Sequence, residues 1–285
     1  MDDTILACDL GGTRLRVAVI ALDGSILWRK ATQTPREDPD ALVRLMREGL
    51  GAADAIRGAV VGVPGPVDYR RGAALHLPNL PRWNKRLDAA GLTNDLGLRP
   101  LVANDADLAA LGEHRFGAGK GVDDMLYMTS STGVGAGVIV GGRLLRAGIS
   151  LAEVGHTIID RATYDTVESL GSGTALGRRA GEDAAAVGAK ASAGDPEARD
   201  HFSVVATDFA IGVYNAVHCF SPEAVVIGGG MSQSGELLLG PVREMLKRCG
   251  SRCPASRAKV LRAAGGDDVG LKGAVAFWQE SLRDA

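Results

Sequence analysis

The sequence predicts an α/β protein of two similar halves with a ligand cleft between them. Three observations carry that prediction. An apolar strand that ends in a glycine-and-threonine turn and returns as a second strand occurs at 5–20 and is echoed at 125–145. Elsewhere, short apolar runs alternate with helical periodicity. Polar residues with chemical potential collect where those runs stop, and open α/β sheets bind ligands at strand carboxyl ends.

Taken in order, Ile5 to Cys8, Leu15 to Leu22 and Ile26 to Ala31 read as an antiparallel meander, with a turn at Asp23-Gly24. A helix follows from about Pro39 to Leu50, with Asp38 as its cap and Leu42, Leu45 and Met46 on one face. Arg57 to Val63 is a buried strand ending at Pro64-Gly65-Pro66-Val67-Asp68. Pro100 to Ala103 is another, ending at Asn104-Asp105, with a helix through Ala106 to His114. In the second half Met125 to Ser130 is a strand, Thr132 to Gly137 a glycine turn, and Val138 to Leu145 a hairpin around Gly141-Gly142. Asp195-Pro196 opens a long helix to about Phe220, with a cap and a proline at its first position. Glu223 to Ile227 is a strand closing on Gly228-Gly229-Gly230-Met231-Ser232. A helix to about Lys247, a strand at Lys259 to Arg262 and a helix opening at Asp268 complete the chain. The expected division is a smaller domain at 1–103, a larger one at 104–267, and a last helix at about 268–285 packing back on the first.

Composition narrows the function. The 285 residues are 46% hydrophobic and carry 32 basic against 34 acidic side chains, so the net charge of −2 offers no attraction to nucleic acid or a membrane surface. No apolar run reaches the roughly 20 residues of a membrane span. The four cysteines, Cys8, Cys219, Cys249 and Cys253, form no CxxC pair, and three sit in or beside apolar segments as buried free thiols do, which suits a reducing cytoplasm. Of the 39 glycines, many cluster in short motifs, which points to turns rather than to disorder.

The first turn, Asp9-Leu10-Gly11-Gly12-Thr13, has two readings. Its glycines let backbone amides face an anion while Asp9 offers a carboxylate to a metal and Thr13 a hydroxyl to a phosphate. Gly-Gly is also among the commonest turns between paired strands.

With these motifs in register, the chain resembles the ROK family of sugar kinases and sugar-responsive repressors, which have the two-domain actin-like ATPase (ribonuclease H-like) fold. Asp9 to Thr13 with Arg16, and Ser131-Thr132-Gly133-Val134-Gly135-Ala136-Gly137, resemble its two phosphate motifs. Ile227 to Ser232, including Gly229 and Gly230, and Gly270 to Ala274, including Gly273, are similar to its adenosine-binding segments. Pro64 to Val67, Pro78-Asn79-Leu80 with Trp83, Asn104-Asp105-Ala106 and Glu153-Val154-Gly155-His156 resemble its sugar-site signatures.

The resemblance implies ATP and Mg²⁺ as cofactors, a hexose such as glucose as substrate, and a homodimer. Rival acceptors are an amino sugar, an N-acetylhexosamine or a cyclitol, and a non-catalytic sugar sensor is the rival from another class. Only eight residues precede Asp9, too few for the DNA-reading segment of the repressor members, so the kinase branch is expected. Asp9 would hold Mg²⁺ directly or through water, as a hard cation prefers carboxylate oxygen. Thr13 and Thr132 would donate to phosphates. Asp105 is the candidate general base, beside the equally plain role of Asn104 or Asp105 as a helix cap. Asn79, Asn104, Glu153, His156 and Glu168, with the backbone at Gly65, are the expected sugar contacts. The other histidines, His76, His114, His201 and His218, have no partner motif and read as surface or packing residues.

One departure stands out. Many members follow the histidine with a cysteine-rich loop that holds a structural zinc, whereas residues 157–168 contain no cysteine. A structural zinc site wants four Cys or His ligands, so no zinc is expected. His156 then needs another partner to orient its ring.

Overall fold

The computed structural model describes residues 3–77, 79–84, 86–250 and 253–283. Pro78, part of one expected sugar-site signature, lies outside the described residues. In chain order the strands are β1 (Thr4–Leu10), β2 (Arg14–Ala21), β3 (Ile26–Gln33), β4 (Ile56–Val63), β5 (Val67–Asp68), β6 (Ala73–Ala74), β7 (Pro100–Asn104), β8 (Met125–Ser130), β9 (Val134–Val140), β10 (Arg143–Leu144), β11 (Ala224–Gly228) and β12 (Lys259–Arg262). The helices are α1 (Asp40–Leu50), α2 (Ala89–Leu96), α3 (Asp105–Phe116), α4 (Val167–Gly171), α5 (Gly173–Ala180), α6 (Ala184–Ala193), α7 (Pro196–Phe220), α8 (Glu236–Lys247) and α9 (Val269–Arg283).

The chain divides into two compact units. One is Met1–Gly117 with Arg143–Leu151 and Gly265–Ala285; the other is Ala118–Gly142 with Ala152–Ala264. The first unit therefore keeps α3, which the expected boundary at 103/104 would have given to the second. Its hold on α3 is close packing: a Cβ on Gly273 of α9 would collide with the Leu108 carbonyl, and one on Gly112 of α3 with the Val269 carbonyl. Segment 143–151 joins the same unit through backbone bonds from Tyr69 to Gly148 and from Ser150 to Val67.

In the first unit the sheet order is β3-β2-β1-β4-β7. β1 and β2 pair antiparallel up to Leu10↔Leu15, while β4 and β7 run parallel to β1 and bring Gly62 beside Asp9 and Asn104 beside Val63. β1 and β4 are nearly continuous apolar runs because both their faces are covered. Leu6, Cys8, Val17, Val61, Leu80 and Trp83 form part of the core against the sheet. Trp83, expected beside sugar, is fully buried there, and its indole donates to the Arg36 carbonyl at 3.2 Å. The cap of α1 is Pro39, with no side-chain cap bond, and Asp38 instead pairs with Arg44.

In the second unit β8, β11 and β12 are parallel and β9 runs antiparallel to β8. The expected glycine turn at 132–137 is shorter than its composition suggested. β9 begins at Val134, and Gly135 and Gly137 are ladder residues opposite Thr129 and Tyr127. A turn needs only the residues that reverse the chain, and here the Ser131 amide donates to the Gly133 carbonyl at 2.9 Å. Asp195 caps α7 by accepting the Ala198 amide, with Pro196 at the first helical position. Of the cysteines only Cys8 is buried; Cys219 is exposed and Cys249 and Cys253 are partly so.

Candidate active site

The first unit gathers its site at the carboxyl ends of β1, β4 and β7. Asp9, one residue short of the end of β1, faces Arg16 across the hairpin, and Arg16 Nη1 donates to Asp9 Oδ2 at 2.8 Å. Arg16, expected at phosphate, thus spends one donor on Asp9; its buried Nε has no partner among the described residues. Burial pushes the Asp9 carboxyl above its ordinary range, and Arg16 pulls the other way. Asp268 adds to the upward push.

The turn after Asp9 is a hairpin in form. The Gly11 amide donates to the Arg14 carbonyl at 2.8 Å, and Thr34 anchors the loop, its hydroxyl to the Gly11 carbonyl at 2.7 Å and its amide to the Thr13 carbonyl at 2.9 Å. Neither glycine takes a left-handed conformation. Gly12 has room for a side chain, a built Cβ touching only Asn79 Cβ at 3.8 Å. Thr13 is exposed at the tip. Of the expected adenosine residues in α9, Gly270 approaches Asp9, whose Cγ lies 3.7 Å from its Cβ position. Gly273 does not; it is used in the α3 crossing.

Asn104 ends β7 and caps α3. Its Oδ1 accepts the amides of Ala106 and Asp107 at 2.9 and 3.1 Å, and its Nδ2 donates to the Gly65 carbonyl at 3.0 Å. Gly65 has φ of +91°, which favours glycine and turns that carbonyl toward Asn104. The capping role therefore falls to Asn104, and Asp105 occupies the first helical position, with Oδ1 accepting the Ala106 amide at 2.8 Å. A carboxylate in the first turn of a helix is favoured by the aligned peptide dipoles. Sequence reasoning missed the support beneath. The Asn104 amide donates to the Tyr69 hydroxyl at 3.3 Å, and Tyr69 donates to buried Asp107. Burial and the Asp107 charge push the Tyr69 phenol well up, so it stays a donor. Tyr69 lies in a loop with no periodicity to mark it.

In the second unit the turn at 131–133 is pinned by three bonds. The Val134 amide donates to Glu168 Oε2 at 2.9 Å, Thr174 donates to the Thr132 carbonyl at 2.6 Å, and the Gly173 amide to the Ser131 carbonyl at 2.6 Å. A Cβ on Gly133 would strike the Glu168 carboxylate. Glu168, expected at sugar, thus holds the phosphate-like turn with one oxygen. Thr132 is exposed at its tip. Gly229, at φ +83°, lies against the same strand end, where a Cβ would strike the Ser130 carbonyl; Gly230 faces open space.

A 3₁₀ turn at Val154–His156 presents Glu153 and His156 together, Nε2 to Oε2 being 3.8 Å. Gly155 permits this, since a Cβ there would meet the Val134 carbonyl of β9. Burial pushes the Glu153 carboxyl up, with Glu168 adding to it and His156 opposing. Glu153, His156 and Glu168 therefore share one neighbourhood.

The residues after His156 do not fit a structural zinc. In place of thiols the segment carries Asp160, whose Oδ1 accepts the Ala162 amide at 2.7 Å, and Asp165, which accepts from Thr163 and Ser169 at 2.7 and 2.9 Å. Thr166 and Ser169 cap α4 reciprocally. Side-chain hydrogen bonds close the loop, and its oxygen donors are soft-metal ligands only weakly.

A family model described as ROK family matches residues 5–281. The chain belongs to the ROK family. It is similar to the glucokinase of Thermotoga maritima, 30% identical over 98% of each chain. It is also similar to the bifunctional enzyme NanE/NanK of Brucella melitensis, 32% identical over 94% of this chain and 52% of that one. Among solved structures, a ROK family glucokinase from Streptomyces griseus, in complex with glucose and AMPPNP, superposes with a TM-score of 0.83. It is 30% identical, covering 96% of this chain and 98% of that one. The fold is the actin-like ATPase fold of ROK sugar kinases.

Proposed function

We propose that this ROK sugar kinase transfers the γ-phosphoryl group of ATP to the primary hydroxyl of a hexose, with glucose as its first substrate. The observation that carries the reading is the junction of β7 and α3, where Asn104 takes the capping role and the Asp105 carboxylate stands beside it at the helix start. Asp105 accepts the proton of the attacking hydroxyl, a service worth about 10²- to 10⁴-fold. Asn104 and the Gly65 backbone, buttressed by Tyr69 and Asp107, position the sugar. Glu153, His156 and Glu168 supply further polar contacts to ring hydroxyls, where the wrong epimer would leave polar partners unpaired once the sugar covers them.

The tips of the two glycine turns suit phosphate. The hydroxyls of Thr13 and Thr132 have no hydrogen-bond partner among the described residues, and Gly12 leaves its backbone approachable. Asp9 fits a magnesium ligand: Arg16 occupies Oδ2, and Oδ1 accepts no hydrogen bond among the described residues. Mg²⁺ held there, directly or through water, would neutralise charge on the phosphates. The Gly229-Gly230 turn borders the adenosine, and the segment after His156 does without zinc.

An N-acetylhexosamine, amino sugar or cyclitol is the competing acceptor, favoured by the similarity to NanE/NanK and by the thiol-free segment after His156. A coupled ADP-release assay over glucose, glucosamine, N-acetylglucosamine, N-acetylmannosamine and inositol decides the matter. The highest kcat/KM is expected with glucose; a higher value for another acceptor replaces the substrate, and sugar binding with no ADP release replaces the kinase by a sensor.

A further inference from the structure

Outside the site just described, three soft or borderline ligands converge in the second unit. His218 lies in the last turn of α7, Cys249 just after α8, and Cys253 ahead of β12. One ligand atom from each lies within 4.8 Å of the other two, and His218 Nε2 is 3.4 Å from Cys253 Sγ. We propose that His218, Cys249 and Cys253 form a binding site for a thiolate-seeking cation of the Zn²⁺ class, with the fourth position open to water.

The tautomer of His218 is already set. Its Nδ1 lies 2.8 Å from the Tyr214 carbonyl, which only accepts, so Nδ1 carries the proton and Nε2 presents its lone pair to Cys253. Metal-bound histidines are oriented in this way, the second nitrogen donating to a carbonyl. Zinc bonds of about 2.3 Å to sulfur and about 2.0–2.1 Å to nitrogen place tetrahedral N and S ligands about 3.5 Å apart. The observed spacing of Nε2 and Cys253 Sγ is close to that. Thiols usually sit deep in a core, whereas these two are partly exposed beside an exposed imidazole. Ordinary apolar packing therefore does not explain their meeting. On binding, the two thiol protons leave to solvent, Cys249 gives up its bond to the Leu246 carbonyl, and Nδ1–H stays in place. The ion would tie the end of α7 to the connection between α8 and β12. This site is separate from the family's cysteine loop, and it revises the expectation of no zinc that the segment after His156 suggested.

The test is titration of reduced, metal-stripped full-length protein with Co²⁺, read by absorption and by elemental analysis. One tightly held Co²⁺ per chain is expected with a thiolate-to-cobalt charge-transfer band, which an oxygen site such as Asp9 does not produce. Zn²⁺ should displace it. Cys249→Ser and Cys253→Ser should abolish the band, and His218→Gln should weaken binding by about tenfold or more. Each variant's sugar-dependent ADP release reports that it is folded. A reduced protein with no such band overturns the site, as does a band that survives both cysteine substitutions. Formation of a Cys249–Cys253 disulfide explains the pair only if the band is also absent after reduction, which again overturns it.

Discussion

The two glycine hairpins share one plan and differ in what stands on it. In each, an antiparallel pair carries a short glycine-bearing turn, and two parallel strands continue the sheet from its first strand. One step back from the last pair, the first hairpin sets Asp9 against Arg16, and the second sets Thr129 against Gly135. The first turn is anchored by a neutral hydroxyl and amide from Thr34, the second by the Glu168 carboxylate. The difference is one of placement: the first unit sets Asp9 and Asp105 at strand ends, where the proposed chemistry would use them, while the second spends Glu168 on holding a turn in shape.

The sharpest break in that comparison is expected at Asp105. Asp105→Asn should lower kcat about 10²- to 10⁴-fold while leaving sugar binding by calorimetry nearly unchanged. A variant with near-native turnover removes Asp105 from the mechanism and the first unit's claim to the chemistry with it.

Next comes the glycine pair. Gly133→Ala drives a methyl into the Glu168 carboxylate and should cost about 1–3 kcal/mol of stability. Gly12→Ala meets nothing closer than 3.8 Å and should stay within about 0.5 kcal/mol, while weakening ATP binding by crowding the turn. Equal losses in thermal unfolding would show that the two turns are held alike.

A smaller effect concerns Asp9. Burial raises its pKa in the folded protein, so its contribution to stability is full below the ordinary aspartate value and is lost as pH rises through the raised one. Acidification from neutrality should therefore stabilise the ligand-free wild type relative to Asp9→Asn, measured by melting over a pH series. The opposite trend would mean that Arg16 dominates and that Asp9 is a structural ion pair.

The smallest expected change is Asp165→Asn. Bonds from Thr163 and Ser169 hold that carboxyl below its ordinary value, so what it contributes is present above that value and fades as pH falls through the lowered one. The variant should show faster proteolysis across residues 157–168 at neutral pH, with the difference vanishing in acid.

Much of the frame was legible in the sequence. Met125–Ser130, Lys259–Arg262 and Pro196–Phe220 fall where apolar runs and an Asp-Pro cap placed them, because each depends on neighbours a few residues away. The end of the second glycine turn was not legible. Gly135 and Gly137 look like turn residues, and only their ladder partners Thr129 and Tyr127 make them strand. Within the site, Asn104 and Asp105 were marked by a strand-to-helix junction, whereas Tyr69 beneath them carried no pattern at all.

By itself the sequence determined the longer strands and helices, though not α2 or α4 to α6, and with them the carboxylates and glycines at strand ends and the absence of thiols after His156. These follow from short-range periodicity, capping chemistry and residue type. The tertiary structure alone decided that Glu168 holds a turn, that Trp83 is core, that Gly273 serves a helix crossing, and that His218 meets Cys249 and Cys253. Each of those depends on groups far apart in the chain, and separation along a sequence does not reveal which of them packing will bring within a few ångströms.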